Sequence, residues 1–552
     1  MSQGARAPQI SALAGVHPGR LFTASCISLI STAVVFIVVA TIMGDLKKFF
    51  VLDNTDVGWI AGAATWGFTV SIFVLGPLCD WLGMRLLLRF AFLCHLVGVL
   101  VMIFATGFWM LFWGALVIAL GNGTVEAVCN PLIATIYPGD KTRKLNQFHM
   151  WFPGGIVIGG LIAYALANLG LGDSPYLWKV RLAIVLVPTL IYGILFIGQK
   201  FPKTERVQSG ISFGGMVKAT LLRPLFIILF FCMMITASLE LGPQRWIPSV
   251  LEAGGIPGIL VLCWITGLMA ILRACAGPVV HRLSNTGVLL LSAILAGVGL
   301  VLLSYMGTIA EALGVPTIVV AGFAATVFAL GVCYFWPTML GTVAERVPKG
   351  GALALALLGG VGMLIVGVVT TPEMGAIADK YLHQKLAAEK VSADKTAGVI
   401  EKVAGTYTAL AVSQPDTKAG NIYRDELKST VKDADDVRKV WTATGELPEF
   451  KTANALRSAL KNGPEDKVAK TGTDIEKAAL EAKREAGDIL NPAENYGGLM
   501  SFRHVAPFAI ILVVVFGAMY LVDKKKGGYK AEKIVKEGLA EGFGDGVPPD
   551  KL

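Results

Sequence analysis

The stretch "GPLCDWLGMRLLL" occupies residues 76–88, and "GPVVHRLSNTGVLLL" occupies residues 277–291. Each follows a long apolar run, opens on Gly-Pro and returns to a leucine-rich run. A second echo supports the first. Gly121 stands before Pro138 at the same spacing as Gly331 before Pro348, and an Ala-Leu pair precedes each glycine at 119–120 and 329–330. The two echoes recur at nearly the same offset, from Gly76 to Gly277 and from Gly121 to Gly331. Repetition at such an offset implies a chain built as two similar halves, repeated in parallel.

The intervening runs say what the halves are made of. The chain has 552 residues, of which 54% are hydrophobic and only 16% charged, where about 25% charged is usual for a soluble domain. Twelve apolar runs lie near 22–44, 56–78, 86–106, 108–137, 146–169, 181–200, 223–251, 257–280, 286–306, 315–345, 352–375 and 501–522. Each is long enough to cross a bilayer as a helix. The fold expected is an all-α membrane protein of twelve transmembrane helices in two six-helix bundles. The bundles would comprise residues 1–205, and 223–378 with 499–526, joined by a linker at 206–222. Residues 379–498 break the pattern. They are hydrophilic and free of Cys, and "DIEKAALEAKREAGDIL" (474–490) reads as an amphipathic or solvated helix. Whether the insert is a helical cap or a loose loop stays open from sequence.

Basic residues in the short loops set the orientation. Arg85 and Arg89, "DKTRK" (140–144), "QKFPKTER" (199–206), "HR" (281–282), "ERVPK" (345–349) and "DKKK" (523–526) fall on one side. Lys47 and Lys48 are the main exception on the other. Both termini, including a tail at 527–552, are therefore expected in the cytoplasm, with the insert external or periplasmic in a bacterial inner membrane. The segment 1–20 carries Arg6 and Arg20 but no apolar core, so no cleaved leader is expected. The net charge of +9 sits in those loops and the insert, which argues against a nucleic-acid partner. The eight Cys (26, 79, 94, 129, 232, 263, 275, 333) lack CxxC spacing, so neither a metal nor a disulfide framework is expected, only buried small residues.

In the first repeat, Gly76, Asp80, Gly83 and Arg85 stand in the order G-x-x-x-D-x-x-G-x-R. Glycines permit a tight turn and close helix approach, and Asp80 could face the positive N-terminus of the span starting near Gly351. The pattern resembles the loop signature of the major facilitator superfamily, which implies a conformational gate at these four residues. The second copy has His281 in place of Asp80. Within that superfamily the first half resembles the fucose/galactose–proton symporters. The likeness rests on "GDLKKFF" (44–50), "GNGTVEAVCNP" (121–131), "LNQFHMWFPGG" (145–155) and "KFP" (200–202), and continues thinly into "ELGPQRW" (240–246). It covers residues 40–205 and leaves out the insert. It implies that Asp45 and Glu126 serve proton coupling and sugar binding. The family's sugar-contacting asparagine falls on Phe152, beside Pro153, which departs from the pattern.

The polar residues within the runs carry the chemistry. An intramembrane carboxylate costs at least a few kcal/mol, so it marks a cavity, a partner or a proton path. Asn122, Glu126 and Asn130 recur at four-residue spacing, as do Thr236, Glu240 and Gln244, and Tyr334, Thr338 and Thr342. Trp336 offers an aromatic face for a sugar ring, and His149 is a further proton-path candidate set against an ordinary interfacial histidine. Tryptophans 109, 113, 151, 178 and 246 read as interfacial anchors. Arg273 needs a partner or an anionic ligand, and a pair with Glu240 is not expected because the two fall at different depths. No P-loop, nucleophile elbow or metal-ligand cluster is present in the sequence. An enzyme is thus not expected, nor any cofactor beyond a proton gradient. Three readings remain: a proton-coupled symporter of a sugar or similar small polar solute, working as a monomer; a transporter of an organic anion or drug-like compound using Arg273; and a transporter-like sensor using the insert.

Overall fold

The computed structural model describes residues 15–50, 54–168, 176–387, 390–466 and 468–532, and every regular element among them is helical. Arg6 and the tail beyond residue 532 lie outside the described residues. The first half comprises α1 (Pro18–Phe50), α2 (Asn54–Leu82), α3 (Met84–Ile103), α4 (Phe108–Ile136), α5 (Lys141–His149), α6 (Trp151–Asn168), α7 (Leu177–Ala183) and α8 (Leu186–Phe196). Two short helices follow, α9 (Glu205–Gln208) and α10 (Phe213–Leu221). The second half begins with α11 (Pro224–Ala253), α12 (Gly258–Ala274), α13 (Ala276–Ser304), α14 (Met306–Leu313), α15 (Thr317–Val332), α16 (Phe335–Arg346) and α17 (Gly351–Ile365). Ten helical stretches among the described residues are long and apolar enough to cross a membrane, and Gly258–Ala274 is a shorter apolar helix. The expected run at 146–169 folds as α5 plus α6. The run at 257–280 is broken at Cys275, which ends α12; its last residues belong to α13, which kinks at Ser284, with φ 62°.

The sequence echoes fall at places where helices approach closely. A Cβ on Gly121 would lie 2.5 Å from His95 of α3, and one on Gly331 would collide with the Ala296 backbone of α13. Each glycine lets a helix cross its neighbour at backbone distance, in equivalent places of the two halves. The opening glycines of the two loop motifs instead face the other half. A Cβ on Gly76 would run into Ala356 of α17, and one on Gly277 would lie 2.9 Å from Arg143 of α5. The halves meet through α2 on α17, α6 on α12 and α5 on α16.

The hydrophilic insert is helical. A π-helical turn, Val366–Thr370, joins α17 to α18 (Thr371–Ala387). Then come α19 (Lys390–Ser413), α20 (Lys418–Thr444), α21 (Glu449–Asn462), α22 (Val468–Thr471), α23 (Asp474–Val505) and α24 (Phe508–Lys525). Thr473 and Glu476 form a reciprocal capping box at the start of α23, and Asp474 and Glu476 place acid at the helix's positive end. One face of α23 buries Ala479, Ala482, Ala486, Leu490 and Ala493 against Tyr407 and Leu456, in a core separate from that of the two halves. Arg457 of α21 bonds Asp379 of α18 at 3.0 Å and Glu494 of α23 at 2.8 Å, closing the bundle.

Of the eight cysteines, all free, six are buried, Cys263 is half-buried and Cys275 is exposed, contrary to the expectation that all are buried. Cys275 caps α12 where the chain turns into α13. Trp178, expected as an interfacial anchor, is fully buried against Phe49 and Phe50.

Candidate functional site

Between the halves lies a cavity of about 280 Å³. Its walls are largely apolar, with Phe36 and Ile37 of α1, Phe68 of α2, Phe152 and Ile156 of α6, and Leu262 of α12. Its polar groups are Glu126, His149, Glu240, Gln244, Arg245, Thr266 and Arg273, and Trp336 and Met363 complete it. Phe152 stacks edge-on against Phe36 at 5.7 Å, so the position that departs from the symporter pattern builds the aromatic wall.

In the first half, Glu126, Asn130 and His149 form one buried cluster. The Asn130 amide nitrogen donates to the Glu126 carboxylate at 2.8 Å and to the Glu126 carbonyl at 2.9 Å. With the amide so oriented, its oxygen faces His149 Nε2 at 3.0 Å, and that nitrogen carries the hydrogen. His149 Nδ1 then faces Glu126 Oε1 at 3.8 Å. The carboxyl and this nitrogen together have room for one further proton, on either partner.

In the second half, Arg273 Nη2 donates to Glu240 Oε1 at 2.8 Å, and both residues are fully buried. This corrects the expectation that the two lie at different depths. Glu240, counted back from Ala253, and Arg273, counted on from Gly258, stand almost equally far from the turn that these antiparallel helices share. The two differ by only about 3 Å in depth. Their Cα–Cβ bonds also tilt toward opposite helix N-termini, and so toward each other. Arg273 Nε donates to the Cys333 carbonyl at 2.5 Å, and Nη1 donates to the His149 carbonyl at 3.1 Å. That last bond joins the two clusters across the interface between halves. Gln244 spends one N–H on the weak acceptor Met269 Sδ, at 3.5 Å.

Other expected site residues lie elsewhere. Asn122 is not in the cavity; its oxygen accepts from His95 Nε2 at 2.9 Å, while His95 Nδ1 accepts from the Tyr192 hydroxyl at 2.9 Å. Four residues advance a helix by about 400°, so each step along the stripe turns about 40° off the face of Glu126; Asn130, one step the other way, does not line the cavity either and joins the site only through its bond to Glu126. Asp45 pairs with Arg181 Nη2 at 3.1 Å, at the far end of α1 and outside the cavity. Tyr334 donates its hydroxyl to the Leu272 carbonyl at 2.9 Å and does not line the cavity either. Thr338 accepts from Asn146 at 3.4 Å, between the halves.

The loop motif sits where the halves close. Asp80 accepts from Arg206 Nε at 2.6 Å and also from the Thr204 hydroxyl. Arg206, rather than a bare helix N-terminus, is therefore the partner of Asp80, and its stem packs against Gly351, which has φ 49°. Gly83 takes φ 81° at the start of α3, and Arg85 donates to the Gln199 carbonyl at 2.5 Å. Around them Lys141 bonds Glu205 at 2.6 Å and the Ala344 carbonyl at 3.2 Å, and Glu345 accepts from the Thr142 hydroxyl at 2.7 Å. Glu205, Arg206 and Glu345 counted in the sequence only as loop charge; no local spacing could pair them with residues 64 to 203 positions away.

Two helical halves thus meet at one end through these bonds and enclose a cavity lined by buried charges. Among known proteins, the profile of the Major Facilitator Superfamily matches residues 21–375, and the chain belongs to that family. Solved structures with this fold include the fucose:proton symporter FucP of E. coli, with TM-score 0.54 and 16% identity over 65% of this chain and 92% of that one. They also include the proton:xylose symporter XylE, with TM-score 0.55 and 13% identity over 67% of this chain and 90% of that one. Among curated relatives, a D-xylose transporter of Levilactobacillus brevis is 25% identical over 169 residues, 30% of this chain and 35% of that protein. The glucose transporter GlcP of Staphylococcus epidermidis is 29% identical over 155 residues, 27% of this chain and 33% of that protein. The matching stretches thus span about a third of these curated relatives.

Proposed function

We propose that this chain is a secondary transporter that moves a sugar or similar small polar solute together with a proton, by alternating access. The observation that carries the reading is the pair of buried charge clusters, Glu126–Asn130–His149 and Glu240–Arg273, joined across the halves by the bond from Arg273 to the His149 carbonyl. Proton loading at Glu126 changes the charge next to that bond, and so couples protonation to the contact between halves. Gln244 and Thr266 offer hydrogen bonds to hydroxyls, and Trp336, Phe36 and Phe152 offer faces to the C–H side of a ring. The named substrates of the xylose and glucose relatives support a sugar. Asp45, held by Arg181 away from the cavity, serves as an entry acid at most.

The topology in this reading has twelve crossings, with both termini and the latch in the cytoplasm and residues 379–498 outside, in a bacterial inner membrane. The proton gradient supplies the energy, no cofactor takes part, and one chain suffices. With the latch closed, the cavity faces outward. The test is Glu126→Gln in proteoliposomes. Proton-driven accumulation falls to the level of protein-free vesicles, while counterflow exchange, which needs no net proton movement, persists. Accumulation at wild-type level removes Glu126 from the coupling. As a test of the sensor reading, replacing residues 390–470 by a short Gly/Ser bridge leaves transport intact if the core alone carries the activity; loss of transport with a folded core would assign the insert a functional part.

A further inference from the structure

With Glu126 protonated, as in the loaded state of the proposed cycle, the charges around the cavity do not cancel. Glu240 and Arg273 pair with each other, and Glu126 is held by Asn130 and His149. Arg245 also lines the cavity, and among the described residues it makes no hydrogen bond and no ion pair. The residues that line the cavity nearby from other elements are apolar, Ile37, Phe152, Ile156 and Leu262, and no described acidic residue faces in from α1, α2, α6 or α12. Arg245 is exposed to the open cavity, so its guanidinium is free to take an anion that enters from water. Its planar fork matches a carboxylate, two N–H groups to two oxygens.

We propose that the cargo is a hydroxylated carboxylate, a monosaccharide bearing an acid group, and that Arg245 holds its carboxylate. The proposal rests on the reading of the chain as a sugar carrier and narrows its substrate class. It also separates the anion site from Arg273, whose three bonds to Glu240, Cys333 and His149 leave it engaged. The division of labour follows from position. Arg245 is one residue beyond Gln244 and a little over one turn beyond Glu240 on α11, about 7.5 Å further along the helix axis. The acid end of a ring lies at Arg245 and its hydroxyls at Gln244 and Glu240, roughly the length of one pyranose. One unpaired positive charge fits a monoanion. A phosphate monoester, carrying nearly two negative charges at neutral pH, would leave one of them uncompensated.

The experiment is binding to the purified full-length chain, read by intrinsic tryptophan fluorescence, with D-glucuronate, D-glucose and D-glucose 6-phosphate as probes. Wild type is expected to bind glucuronate about tenfold or more tighter than glucose, as a charge-assisted bidentate bond requires, and tighter than the phosphate. In Arg245→Gln the preference for acid over neutral sugar collapses toward unity, and in Arg245→Lys part of it survives. The ratio is taken within one preparation, so reduced folding of a variant does not mimic the result. Glucose bound as tightly as glucuronate, a preference unchanged in Arg245→Gln, or tighter binding of the phosphate each overturns the proposal while leaving the sugar-carrier reading standing. Binding of none of the three overturns both.

Discussion

Gly76→Leu is expected to hold the two halves apart at the latched end and to abolish transport. A single added Cβ already falls well inside the contact distance of Ala356, and ordinary carbon–carbon contact needs about 3.5–4.0 Å. Leucine adds three further carbons. Overpacking of this kind costs about 1–3 kcal/mol, which shifts a two-state equilibrium by about five- to 150-fold toward the form in which the helices are apart. The check is a cysteine pair at Thr142 and Glu345, whose hydrogen bond spans the halves. Disulfide formation between them, efficient in a background with Gly76, drops in Gly76→Leu. Undiminished cross-linking together with full transport would show that the contact of α2 with α17 does not set the closed state. Gly277→Leu, at the equivalent place in the second half, should act more mildly, because its neighbour is the flexible Arg143 side chain and not the Cβ of Ala356, fixed to its helix.

The same glycines show what could be read from the chain alone. The two-half plan was legible because the repeats sit where helices must touch, and contact at backbone distance admits almost nothing but glycine. Glu126 and Glu240 were legible because charge inside an apolar run is costly wherever it lies. Partners were not. Asp80 is matched to Arg206 and Thr142 to Glu345 by the folding of the chain, and nothing local in either sequence records the match. Depth was misjudged for Glu240 and Arg273 because spans of unequal length were measured from their separate ends. Their shared turn at 254–257 is the reference that the structure uses. Asn122 and Asn130 flank Glu126 on the stripe, but each step of four turns about 40°, and only Glu126 lines the cavity.

Arg273→Met carries the second large effect. It leaves the Glu240 carboxylate buried without its cation and removes the bonds to the Cys333 and His149 carbonyls. Breaking one side of a buried pair costs about 3–5 kcal/mol, whereas replacing both sides by neutral groups of similar volume is often close to neutral. The expected result is a thermal midpoint well below wild type for Arg273→Met and substantially recovered in Arg273→Met/Glu240→Gln. A double variant no more stable than the single one would mean that the pair is uncoupled, and that the two carbonyl bonds account for the loss. The recovered protein should still transport poorly, because the His149 carbonyl has lost the donor that ties it to the other half.

The insert is joined to the second half by rods, not by tethers. α17, the π-helical turn and α18 run on without a gap, and α23 is 32 residues long, about 48 Å. Val250 of α11 receives the Asn495 amide at 2.7 Å and lies against Gly498, so α23 is also braced at its side. Whatever tilt the second half makes, the inserted bundle makes too, magnified by that length. From the brace at Asn495 to Asp474 the free arm is about 32 Å, so one degree at the root sweeps its tip through about 0.6 Å. The bundle is thus an indicator needle fixed to one half of the machine, and a molecule gripping it against the first half would act as a brake on the cycle without approaching the cavity.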